Sequence, residues 1–378
     1  METIRTEVLA VKAQSKQVRK RSTSSQAKPT AVDLFCGCGG LTTGLKGAGF
    51  RVLGAVEMDP LSVETYKANH RDVTVWETDI GRLDPQDLLE TIGLKKGELD
   101  LLAGCPPCQG FSTIRTLNGA VSVDDPRNEL LQEFQRFVEA LRPRAVMMEN
   151  VPGLANDERF ATFCSRMRDL GYLGDHRVLN AADYRVPQRR RRLIYLAGMG
   201  MEIPFAERNG RQKTVKEAIE GLPKAGQSGD LVHDMPENRT PRVLKIIRLI
   251  PKDGGSRRDL PEEFQLECHK RCSGFKDVYG RMAWNDVAPT ITSGCFNPSK
   301  GRFLHPEEDR AITMREAALL QGFPRRYRFL RTDNKSTVAV MIGNALPPPF
   351  VAAHGRSIRR ALERNGATRS SEEGLEQT

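Results

Sequence analysis

No apolar run in this sequence approaches the roughly 20 residues that a membrane-spanning helix needs, and no secretory leader heads it. A membrane role is not expected, and the chain is read as intracellular. Cysteine is sparse, with eight in 378 residues, well short of the density of a secreted disulfide scaffold. Free thiols in a reducing compartment follow. Cys105 and Cys108 form a Cys-x-x-Cys pair with no second pair at finger spacing, and Cys268 and Cys272 lack a partner pair as well, so no metal is expected. Acidic residues are outnumbered, leaving a formal charge of +10. That excess favours a polyanionic partner, of which nucleic acid is the simplest.

The first 30 residues carry Lys16, Arg19, Lys20, Arg21 and Lys28 among Ser and Gln, with almost nothing to bury. They are expected to be a disordered basic tail. Structure is expected from Ala31, where a strand to Phe35 runs into the glycine-rich turn Cys36-Gly37-Cys38-Gly39-Gly40-Leu41 and then a helical segment. This is the opening unit of a nucleotide-type cofactor site on an α/β sheet. It is not the dinucleotide fingerprint, because no third glycine falls at the required place. The next strand, Arg51–Val56, ends in Glu57, well placed for ribose hydroxyls, and a third, Val73–Trp76, leads to Asp79. Three successive strand ends thus put polar groups on one edge.

An apolar run from Glu98 to Ala103 leads into Gly104-Cys105-Pro106-Pro107-Cys108-Gln109-Gly110-Phe111-Ser112. Pro106 and Pro107 fix the backbone ahead of Cys108, a mount suited to a nucleophile at a strand end; by spacing alone, a redox-active or zinc-binding pair is the other reading. The polar stretch Thr113–Asn128 is long enough to act as a lid. Apolar residues at helix spacing mark Glu129–Leu141, and Ala145–Met148 reads as a buried strand closed by Glu149. A carboxylate at a strand end beside a thiol suits nucleophilic chemistry with proton delivery. Four arginines precede the apolar run Leu193–Leu196, and alternation along a strand puts Arg190 and Arg192 on one face.

Residues 203–311 hold many Gly, Pro, Lys and Arg and few apolar periods, and read as an irregular smaller domain. Thr313 and Glu316 form a capping box ahead of a helix ended by Gly322; Ser336 starts another that stops at Gly343-Asn344, and Pro347–Pro349 open a last helix to about Arg364. Residues 312–364 are expected to return to the large domain of residues 31–202, with a polar tail over 365–378.

Pro-Pro-Cys-Gln-Gly-Phe-Ser resembles the catalytic motif of the DNA (cytosine-5) methyltransferases, bacterial restriction-modification type. The family's other motifs follow in order: Asp33-Leu34-Phe35-x-Gly37-x-Gly39-Gly40, Glu149-Asn150-Val151, Gln188-x-Arg190-x-Arg192, the segment Ala288–Thr292, and Gly343-Asn344 before Pro347-Pro348. The resemblance implies a doubly wound, Rossmann-like methyltransferase sheet with a smaller target-recognition domain. By the same resemblance S-adenosylmethionine would meet Phe35, Gly37, Gly39, Gly40, Leu41, Glu57, Asp79, Pro106 and Asn344, with Phe35 on adenine, Glu57 on ribose and Asp79 on the adenine amino group. Cys108 would attack C6 of a flipped cytosine, Glu149 would meet N3, Arg192 would reach O2, and Arg190 would steady the site. Target choice would fall to about Ile203–Met282. The implied partner is double-stranded DNA, without a membrane, in the cytoplasm at the bacterial nucleoid. The protein would act as a monomer, alone or beside a cognate restriction endonuclease. A tRNA cytosine-5 methyltransferase of the same fold and an inactive DNA-binding homologue stand as alternatives.

Overall fold

The computed structural model describes residues 27–107, 130–265, 277–330 and 333–375. Seven strands form one sheet: β1 (Thr30–Leu34), β2 (Arg51–Glu57), β3 (Thr74–Glu77), β4 (Leu101–Gly104), β5 (Ala145–Asn150), β6 (Tyr172–Asn180) and β7 (Arg191–Met199). Their order is β3-β2-β1-β4-β5-β7-β6. Neighbours from β3 to β5 are parallel, whereas β7 runs antiparallel to both β5 and β6. Succession reverses direction between β1 and β4, the crevice where open α/β sheets bind ligands. Leu34 is level with Val56 and with Gly104, and Gly104 with Met148, so the strand ends share an edge. Being antiparallel, β7 brings its beginning to that edge, with Ile194 opposite Glu149.

Both faces of the sheet are covered, which is why the inner strands read as nearly unbroken apolar runs. One face packs Ala31, Val52, Ala103 and Met147 against α1 (Gly40–Ala48) and the last helix, α10 (Pro348–Leu375), through Leu45, Phe350, Val351 and Ile358. The other packs Val32, Val56, Leu102 and Val146 against α3 (Pro85–Ile92), α4 (Leu130–Leu141) and α5 (Glu158–Asp169), whose Leu88, Phe134, Phe137 and Phe163 are buried. Removing a phenylalanine from such a layer costs about 3–5 kcal/mol. Between β2 and β3 lies α2 (Pro60–Asn69).

Helices α6 (Val215–Ile219), α8 (Met314–Leu320) and α9 (Lys335–Asn344) build a third cluster in which Val215, Met282, Ile291, Leu320 and Ile342 meet. Thr313 caps α8 in the expected box with Glu316. The C-terminal segment therefore divides, α8 and α9 joining residues of the irregular stretch and α10 joining the sheet. In that stretch α7 (Pro241–Leu249) packs Ile246 and Ile247 against Leu260, Tyr279 and Leu304. Among the described residues only isolated bridges replace a sheet here. Arg281, fully buried, supplies the missing order by donating to the carbonyls of His305 at 2.7 Å, Glu308 at 2.6 Å and Ile247 at 3.0 Å.

Two details depart from the sequence reading. Helix α10 continues to Leu375, where a polar tail was expected from residue 365. Among the described residues Lys335–Gly366 is long and apolar enough by composition to pass for a membrane span. Its apolar side chains Val338, Ile342, Phe350 and Ile358 belong to the clusters above, and α9 and α10 are separate helices.

Candidate active site

A cavity of about 510 Å³ opens at the shared strand edge, closed on one side by the turn between α9 and α10. Of the 13 residues expected to form the site, 11 line it; Gly39 does not, and Cys108 lies outside the described residues. So do the Thr113–Asn128 lid and the pair Cys268 and Cys272. Pro106 and Pro107, the last described residues before Cys108, line the cavity.

Glu57, at the end of β2, accepts from Gly37 N–H at 2.9 Å, Met58 N–H at 2.9 Å and Asp59 N–H at 2.8 Å. The carboxylate ties the glycine turn to the strand end, and burial raises its pKa above the usual range despite those amides. Phe35 follows β1 with φ at +60°, a left-handed conformation costing a residue with a side chain roughly 1–2 kcal/mol. That turn lays the half-buried ring along the cavity. Asp79 lines the wall and is also a cap, one oxygen accepting from Gly81 N–H at 3.0 Å. Leu41 is buried in the wall, while Asn344 ends α9 and is exposed at the rim.

The glycines divide by task. A Cβ on Gly37 would meet nothing within 4 Å, which leaves open backbone for a ligand. On Gly39 it would fall 2.6 Å from both His70 Nε2 and Tyr327 Oη, and on Gly40 2.7 Å from the Leu346 carbonyl. Gly39 thus serves packing, and Gly40 seats the C-terminal segment against the cavity wall.

On the β5 side, Arg192 Nε lies 2.7 Å from Glu149 Oε1, with 16% and 11% of the side chains exposed. Cys105 keeps some accessible surface as a residue, yet burial of its thiol, with the Glu149 charge beside it, holds its pKa well above normal. It is a poor nucleophile. Arg190 is nearly inaccessible and donates to the carbonyls of Ile291 at 3.1 Å and Gly343 at 2.9 Å. It precedes β7 and clasps the third cluster to the site, while burial and then the Arg192 charge pull its pKa down.

Four buried polar residues, three of them in the motifs above, have no role assigned by sequence reasoning. Asn150 donates to the Pro106 carbonyl at 2.9 Å and so pins the Pro-Pro turn to β5. Gln188 accepts from Ile291 N–H at 2.8 Å and donates to Gln321, which donates to the Ala345 carbonyl at 2.5 Å. Asp33 accepts from Thr42 Oγ1 at 2.6 Å through one oxygen, and its other oxygen is buried without a partner. Glu-Asn and Gln-x-Arg-x-Arg in the sequence flag Asn150 and Gln188; nothing local reveals their distant acceptors.

Comparisons with known proteins point to one family. The family described as C-5 cytosine-specific DNA methylase matches residues 30–360. Type II methylase M.HgiDII of Herpetosiphon aurantiacus is 38% identical over 348 residues, covering 88% of this chain and 95% of that relative. Type II methyltransferase M1.HphI of Haemophilus parahaemolyticus is 35% identical over 336 residues, covering 87% and 86%. The S. pombe Dnmt2 methyltransferase shares the fold with a TM-score of 0.61 at 18% identity, covering 89% of this chain and 99% of that one.

Proposed function

The chain belongs to the C-5 cytosine-specific DNA methylases and is a DNA (cytosine-5) methyltransferase; on that premise we propose that the cavity holds S-adenosylmethionine beside a flipped cytosine, with Cys108, Glu149 and Arg192 acting on the base. The family is a class that uses S-adenosylmethionine as methyl donor. Three observations fit that group: open backbone at Gly37, an aromatic wall at Phe35, and the Glu57 carboxylate facing the cavity. Phe35 would take the adenine, Glu57 the ribose hydroxyls, Asp79 the adenine amino group, and Pro106 and Asn344 the remaining walls. When bound, the cofactor supplies an electrophilic methyl carbon.

Cytosine C5 is a weak nucleophile, and C6 cannot be reached inside the stack, so the base must leave the duplex. Cys108 as thiolate bonds to C6 and converts the ring to an enamine with electron density on C5. Glu149 meets N3 and Arg192 meets O2, balancing the charge that develops there. Once C5 carries the methyl, loss of its proton breaks the C6–S bond and returns the thiolate. Arg190 is a positioning residue, holding β7 to Ile291 and Gly343.

The carrying observation is that the Glu149–Arg192 pair and the Phe35–Glu57 wall open into one cavity. Target choice we assign to Ile203–Met282, the basic stretch without catalytic motifs. The two relatives named above are Type II methyltransferases, and we assign this chain the same role, acting as a monomer to protect a site from a cognate endonuclease. Bisulfite sequencing of DNA from cells expressing the protein tests the reading: modified cytosines should fall in one sequence context, and unmodified DNA from active expression would overturn it.

A further inference from the structure

A larger groove, about 760 Å³, lies apart from the cavity and shares no lining residue with it. Helix α10 forms one wall and residues 204–213 the other. Its cations are Arg185, Lys213, Arg356, Arg360 and Arg364, against the single acid Glu207, five positive charges to one negative. On α10 the arginines stand four residues apart, so they succeed one another on the same face about every 6 Å. A row of that pitch suits a chain of phosphates better than one small anion.

The groove is built rather than incidental. Ser357 Oγ donates to the Pro204 carbonyl at 2.5 Å and Tyr184 Oη to the Ala206 carbonyl at 3.3 Å, fixing both walls to a shared floor. The Tyr184 ring packs against Phe350 and His354. Asn209 N–H donates to the Asp183 carbonyl at 2.7 Å, anchoring the outer wall. Lys213 is half-buried; its desolvation, opposed by the Glu217 charge, lowers its pKa. Arg185, Arg356 and Arg360 are exposed and make no ion pair among the described residues.

We propose that this groove is a second phosphate-backbone site, taking duplex DNA away from the target cytosine. The proposal rests on the protein acting on DNA, and its test separates the two. Arg356→Gln/Arg360→Gln removes two exposed charges outside the catalytic machinery. Binding should be measured from 50 to 200 mM salt on a long duplex and on a short one that only fills the target cleft. Two lost phosphate contacts lower the slope of log affinity against log salt by about 2 on the long duplex. Short-duplex binding and methyl transfer should match wild type. An unchanged slope, equal loss on both duplexes, or a structured RNA that competes better than duplex DNA would each overturn the groove assignment. Methyl transfer to the short duplex would still stand for the catalytic reading.

Discussion

Arg192 and Glu149 meet across two antiparallel strands, Nε to Oε1 at 2.7 Å. The pairing follows from register: Glu149 is level with Ile194, so Arg192, two residues earlier on β7, points to the same face just beyond it. Each holds the other at the cavity wall; in the proposed reaction, where the base edge meets both, little reorganisation would remain.

Glu149→Gln should lower methyl transfer by about 10²–10⁴ and destabilise the fold by about 1–3 kcal/mol, because Arg192 keeps a mostly buried charge without its partner. Arg192→Ala should do the same from the other side. The double variant should be less unstable than the sum of the two, since neither charge is then stranded. Denaturant titration of all four proteins decides; strictly additive losses would mean the pair is not coupled.

Two glycine substitutions should separate packing from ligand approach. Gly40→Ala pushes a methyl group towards the Leu346 carbonyl and should lower the melting temperature markedly. Gly37→Ala meets open space, so its cost is the strain of φ at +51°, roughly 1–2 kcal/mol. It should fold and yet bind S-adenosylmethionine weakly by calorimetry, as should Glu57→Ala, by about 1–3 kcal/mol. Wild-type affinity in folded Gly37→Ala would remove that backbone from the cofactor site.

Asp33 sets a pH dependence. Burial raises its pKa from 3.8 to about 7, outweighing the Thr42 hydrogen bonds that lower it. Between those values the folded protein keeps a proton that the unfolded chain has lost, so stability falls as pH rises from about 4 to 7. Asp33→Asn cannot ionise. Relative to wild type it should gain roughly 2–4 kcal/mol at pH 8 and nothing below pH 4. A difference that stays flat across this range would show that Asp33 is not the group responsible.

The sequence revealed the strand ends and the acids on them because inner strands are apolar runs punctuated by polar edge residues. Glu57, Glu149 and Arg192 were placed that way, and the cavity gathers them. Strand β6 escaped notice because it is an edge strand: most of Tyr172–Asn180 is exposed and carries no apolar alternation. Helices α2 and α3 are announced by Asp59-Pro60 and Asp84-Pro85, caps followed by proline at the first turn. Arg281 and Gln188 were beyond reach, since their acceptors lie 24 to 133 residues away and a single sequence does not record such pairings.

Specificity is open to a transplant. Grafting the counterpart of Ile203–Met282 from a relative with another target should move the methylated site. The graft must respect Arg281 and Met282, which anchor the clusters around them. A folded, active graft that keeps the original site would place target choice elsewhere.

The central claim is that Cys108 bonds to the base, and a cytosine with fluorine at C5 tests it directly. The cysteine can add and the methyl can transfer, but no proton is left at C5 to release the enzyme. A denaturing gel should show a protein–DNA adduct that requires S-adenosylmethionine, and peptide mapping should place the link at Cys108, not at Cys105, whose thiol is buried beside Glu149. Cys108→Ser should abolish the band while DNA binding persists. An adduct that survives in Cys108→Ser, or that maps to another cysteine, would contradict the account.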